Sequence, residues 1–108
     1  MKEKKVVREE RNKEKLTSGD WVMAEFYSIH SLKSSRMHAV IDEFKKLMGG
    51  KVEVVQVNVD EEKTLAEFYT IVHIPTYIFL RKGEQLMAAD RRIGIWNRLE
   101  KAVKEFMV

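Results

Sequence analysis

The order in which apolar residues change their spacing constrains this chain more than any other feature. Trp21-Val22-Met23-Ala24-Glu25-Phe26-Tyr27 has the composition of a strand, and the apolar residues after it, Met37, Val40, Ile41, Phe44, Leu47 and Met48, recur at spacings of three and four. That recurrence predicts one buried face of a helix. Gly49-Gly50 ends it, where the chain must leave a helix through positive φ. The β-branched run from Val52 to Val59 predicts a largely buried strand. Asp60-Glu61-Glu62 then predicts the start of a short helix with negative charge on its first turn, carrying Leu65, Phe68 and Tyr69. After His73-Ile74-Pro75-Thr76 come a strand, Tyr77-Ile78-Phe79-Leu80, a turn at Lys82-Gly83-Glu84 and a second strand near Gln85 to Asp90. A last helix after Gly94 is expected to bury Trp96, Leu99, Ala102, Val103 and Phe106. With 108 residues, 44% of them apolar, the chain has room for one core of the α/β class.

Charge divides the chain unevenly. Residues 2 to 15 hold seven Lys or Arg against four Glu, a net of +3 that equals the net charge of the whole chain. The remainder is balanced, so the folded part lacks the basic, aromatic-interleaved surface of a nucleic-acid binder. We read residues 1–19 as a charged N-terminal arm or helix, a solvated helix or frayed arm, with a basic arm for an acidic partner as the competing reading. Residues 20–108 form the domain. No stretch approaches membrane-spanning length and Met1 to Arg8 has no apolar segment, so no membrane association is expected. The expected location is the cytoplasm, or outside it with a signal segment absent from this chain. The chain has no cysteine and is therefore indifferent to the redox state of its compartment.

The strand end Glu25-Phe26-Tyr27, the strand end Asn58-Val59-Asp60, the segment from Tyr69 to Thr76 with its Ile-Pro-Thr, and the Lys82-Gly83-Glu84 hairpin, in this order, resemble the thioredoxin family over roughly residues 20 to 108. The resemblance implies a thioredoxin-like fold, a central mixed sheet flanked by helices, and a cis Ile74-Pro75 bond. The arm is short for the family, so the first edge strand is expected to be short or missing, or reduced to Lys4 to Val7.

The departures decide the expected function. Where the family carries its two redox cysteines this chain has Ser31-Leu32-Lys33-Ser34, preceded by His30. Disulfide exchange proceeds by thiolate attack on sulfur, and serine supplies neither the nucleophile nor the second oxidation state. Neighbouring positions differ too: Ala39 replaces a kinking proline, Glu25 a buried aspartate, and Gln56 the lysine that faces it. Linked drift of this kind favours natural loss of the chemistry over a double Cys-to-Ser replacement.

Other chemistries find few residues. His30 and His73 are expected to face each other across the groove, but two histidines are too few ligands for zinc, and neither metal nor cofactor is expected. His38 follows Ser34 by four residues on the same helix face, yet a serine nucleophile also needs an orienting acid. Glu25, the nearest, is expected beneath the helix rather than behind the imidazole, which leaves His38 an exposed helical residue. Alternation puts Met23 and Glu25 on one face of their strand and Val22, Ala24 and Phe26 on the other. A buried acid at Glu25 must therefore find a partner, a water or a hydroxyl. The resemblance leaves a peptide groove walled by His30, Ser31, Leu32, His73, Ile74 and Pro75, with the Ile74 backbone pairing to an extended segment. The expected function is a redox-inactive binding module for a protein or peptide segment; the alternative is a thiol-disulfide oxidoreductase whose cysteines were replaced by Ser31 and Ser34.

Overall fold

Every residue from Val22 to Phe26 is fully buried, because this strand lies inside the sheet with a core on each face. A computed structural model describes residues 2–90 and 95–107, without the side chains of Lys2, Glu3, Lys5, Ile95 and Trp96. The elements are α1 (Lys2–Ser18), β1 (Trp21–Tyr27), α2 (Leu32–Met48), β2 (Glu53–Asn58), α3 (Lys63–Phe68), β3 (Thr76–Arg81), β4 (Glu84–Asp90) and α4 (Ile95–Phe106). The sheet runs β2-β1-β3-β4, with β1 parallel to β2 and antiparallel to β3, and β4 antiparallel to β3. It is a mixed four-stranded sheet flanked by helices.

The alternation of β1 sorts its side chains as the sequence predicts. Met23 packs with Ile41 and Phe44 of α2, Tyr77 and Phe79 of β3, and Leu99 and Ala102 of α4. Val22, Ala24 and Phe26 pack on the opposite face with Val55, Val57, Ile78 and Leu80, under Leu16 of α1 and Leu65 of α3. Gly49 closes α2 at φ 55°, its N–H returning to the carbonyls of Lys45 and Lys46. The β3–β4 hairpin turns through Lys82 and Gly83, both at positive φ. A Cβ on Gly83 would stand 2.6 Å from the Thr17 carbonyl oxygen, so glycine is also what lets the end of α1 approach the hairpin.

Several expectations change. Residues 2 to 15 are neither frayed nor wholly solvated: they belong to α1, whose Asn12 and Leu16 are buried. The helix stands where the first edge strand was expected, and no fifth strand is present among the described residues. Its buried face is largely polar, which hid it from a reading of apolar spacing. The short helix starts at Lys63 rather than at Asp60, because Asn58 to Glu62 form a turn in which the Asn58 carbonyl accepts the N–H groups of Glu61 and Glu62. No acid therefore lies in its first turn. Leu47 and Phe106, expected inside, are exposed. At about 100° per residue Leu47 falls on the margin of the arc centred on Ile41 and Phe44, too far round to reach the sheet. Gly94 and the side chain of Trp96 lie outside what the structure describes.

If α1 is an integral part of the core, Leu16→Ala should cost about 2–5 kcal/mol in urea unfolding, the range for a large-to-small change at a buried site. Leu47→Ala should stay within about 0.5 kcal/mol of the parent. Equal, small effects of the two changes would show that the helix is only loosely attached.

Candidate functional site

Four residues, Ser28 to Ser31, join the end of β1 to the start of α2, and hydroxyls organise them. Ser31 is the N-cap of α2, with extended backbone (φ −101°, ψ 116°), and its Oγ accepts the Ser34 N–H at 3.2 Å. Ser34 is fully buried, and its Oγ accepts the Ser28 N–H at 3.3 Å. Ser28 Oγ donates to the Asp60 carboxylate at 2.5 Å and accepts the His30 N–H at 3.1 Å. Ser31 and Ser34 thus cap the helix and fasten it to the loop. His30 is exposed and Ser31 half-buried, while Ile29 and Leu32 project into solvent, 70% and 69% exposed.

The second wall is set by strand register. Phe26 pairs with Thr76, so the chain entering β3 arrives at the end of the sheet that β1 leaves. The Ile74-Pro75 bond is cis, Pro75 is buried, and His73 and Ile74 are half-buried. Thr76 Oγ1 donates to the His73 carbonyl at 2.5 Å. The structure therefore carries His30 and Ser31 on one loop, with Leu32 opening α2 beside them, and His73, Ile74 and Pro75 on another, both at one end of the sheet. The sequence reading missed Ile29 and Val72, the latter 74% exposed. Each is an apolar residue in a connecting segment with no strand or helix period to bury it, and that was the available signal. Among the described residues no three His, Cys, Asp or Glu side chains gather in a metal-ligating group.

Beneath α2 the buried acid has more partners than expected. Glu25 accepts from Gln56 Nε2 at 2.8 Å and from the Tyr77 hydroxyl at 2.9 Å, and its carboxylate lies 3.1 Å from His38 Nδ1. This corrects the expectation for His38, which is half-buried, edge-on to the Tyr27 ring and bonded to Glu25. The first turns of α2 cross directly over β1, which brings the imidazole down onto the carboxylate. An imidazole–carboxylate pair is thus present, but among the described residues no hydrogen bond joins it to Ser34, whose Oγ serves Ser28. The arrangement orients a helix and does not activate a nucleophile.

Burial, the charge of Glu25 and the hydrogen bond donated to it hold the Tyr77 phenol far above its ordinary range. Burial also raises Tyr27, helped by the Glu62 charge, and burial raises Tyr69. A pKa raised in the folded state leaves stability intact below the unfolded tyrosine value near 10, and stability falls as pH rises above it, because the unfolded chain releases those protons first. Absorbance at 295 nm should therefore show no tyrosine titrating normally at pH 10 in the folded protein, and phenolate should appear together with unfolding at higher pH. A tyrosine that ionises near pH 10 with the fold intact would contradict these environments.

Residues 3–105 match the sequence profile of the thioredoxin family. The chain is 34% identical over 86 residues to a thioredoxin of Rickettsia felis, covering 80% of this chain and 79% of that protein. It is 32% identical over 68 residues to a thioredoxin of Bacillus subtilis, covering 63% and 65%. Among solved structures, the thioredoxin of Fasciola hepatica superposes with a TM-score of 0.73 at 16% identity over 88% of each chain. The germline-specific thioredoxin Deadhead of Drosophila melanogaster does so at 0.74 and 18% over 90% of each. Profile, relatives and fold agree: the chain, which contains no cysteine, belongs to the thioredoxin family.

Proposed function

We propose that this chain is a redox-inactive thioredoxin-like domain that binds extended protein or peptide segments between the Ser28–Leu32 and His73–Pro75 loops. The observation that supports this reading is the exposure of three large apolar side chains, Ile29, Leu32 and Val72, on or beside the two connecting segments that lie at one end of the sheet. Exposed apolar side chains on connecting segments at one end of a sheet suit capture of an extended segment. Ile74 lies just outside the β3 ladder, which begins at Thr76, and this position supports a role for its backbone in pairing with an added strand. The missing thiols remove the rest of the family's chemistry, since a hydroxyl cannot enter disulfide exchange. In this reading the partners are proteins rather than nucleic acid or membrane, and the domain works in the cytoplasm.

A second reading has one observation in its favour. Ser31 and Ser34 keep the N-cap and N3 places of α2, as a direct replacement of two cysteines would leave them. Against it stand His30, Leu32, Lys33, Ala39 and Gln56, all changed from the family's pattern.

Fluorescence anisotropy with labelled, reduced and carboxymethylated α-lactalbumin, a permanently unfolded polypeptide, tests the proposal. Combining Ile29→Ser, Leu32→Ser and Val72→Ser should weaken binding by about tenfold or more. Changing Val6 and Val7 of α1 to serine should leave it unchanged. Absence of binding by the parent, or loss only with the α1 changes, would refute the groove. The parent should also leave the rate of insulin disulfide reduction by dithiothreitol at its protein-free value, and any acceleration would contradict the redox-inactive assignment.

A further inference from the structure

Glu62 is a buried carboxylate, 1% exposed, and among the described residues no lysine, arginine or histidine lies within ion-pair distance of it. Burying a charge in this way is costly, and an apolar side chain of similar volume would fill the space without that cost. The carboxylate does something an apolar group cannot: it ties two elements together. Oε1 accepts from Asn12 Nδ2 of α1 at 2.7 Å, and Oε2 accepts the Asn58 N–H at the end of β2 at 2.9 Å.

From Asn58 the connection continues to the groove. Asn58 Oδ1 accepts the Asp60 N–H at 3.0 Å, which orients the carboxylate that takes the Ser28 hydroxyl at 2.5 Å. Ser28 then fixes the loop from three sides. Its Oγ accepts the His30 N–H, its carbonyl accepts the Ser31 N–H, and its own N–H donates to Ser34 Oγ. The same helix holds this turn at two further points, Arg8 bonding to Glu61 and Glu9 accepting the Leu65 N–H at 2.6 Å. α1 thus grips the 58–65 segment, and that segment grips the loop that carries Ile29 and Leu32.

We propose that Asn12 and Glu62 are positioning residues for the Ser28–Ser31 loop, acting through Asn58, Asp60 and Ser28, so that docking of α1 sets the shape of one wall of the groove. This deepens the peptide-binding reading and rests on it for its purpose, but the coupling is a property of the unliganded chain. A pair that only stabilised the fold would, when broken, speed exchange of all core amides together. A positioning pair, when broken, releases the loop while the sheet stays protected.

Amide hydrogen exchange followed by NMR on the full chain, without peptide, separates the two. Glu62→Gln keeps the size of the side chain but sets an amide donor against one of its two donors. It should speed exchange at Ser28, His30 and Ser31 by about tenfold or more, with Ile78 and Leu80 in β3 changing by less than about twofold. Asn12→Ala should give the same pattern and decides the matter alone if Glu62→Gln does not fold. Leu16→Ala, which loosens the same helix through its apolar contact only, should speed loop and sheet amides in parallel. Uniform acceleration in Glu62→Gln or Asn12→Ala, or loop amides unchanged in either folded variant, overturns the proposal. Because no peptide is present, the result stands apart from whether the groove binds one.

Discussion

One carboxylate holds the central strand in register with everything around it. Glu25, fully buried in β1, takes a hydrogen bond from Gln56 of β2, one from Tyr77 of β3, and lies against His38 of α2. Burying this acid is expensive, and polar partners from three different elements offset the expense only while all are in place. Gln56 and Tyr77 are also its register partners on either side. The network therefore fixes where α2 crosses β1, and with it where Ser31 caps the helix and Leu32 emerges.

A second constraint comes from the edge of the sheet. β2 is an edge strand, and an edge strand left open invites pairing with another chain. Here α1 attends to it: Asn12 Nδ2 reaches the Gln56 carbonyl at 3.3 Å, and Lys15 lies 3.2 Å from Glu53. Below, Leu16 enters the core that Val22 and Val55 line. One helix side chain thus bonds to the backbone of this edge, and that side chain, Asn12, is also the one that reaches Glu62 toward the serine loop.

Much of this was legible in the sequence because it rests on period and on special backbone. The alternation of β1, the apolar arc of α2, the glycines that end it, the Lys82-Gly83 turn and the proline after Ile74 each leave a mark in residue type. What was missed is polar. The docked face of α1 shows Glu9 and Asn12 with a single leucine, a pattern that reads as solvated. Glu62 reads as a charge for a helix start, and only the fold turns it inward beneath Asn12. The contact of His38 with Glu25 depends on the crossing of α2 over β1, which no spacing along the chain encodes. Ile29 and Val72 carried a weaker mark, apolar side chains in segments with no face to bury them.

The central proposal is that a fold built elsewhere around a dithiol serves here as a shaped edge for extended chain. The most direct measurement is intermolecular nuclear Overhauser contacts on isotope-labelled protein bound to an extended peptide selected for affinity. The account predicts backbone contacts from the peptide to His73 and Ile74, with side-chain contacts to Ile29, Leu32 and Val72. Contacts confined to Lys4, Val7 and Arg11 on the outer face of α1, with none at Ile74, would contradict it.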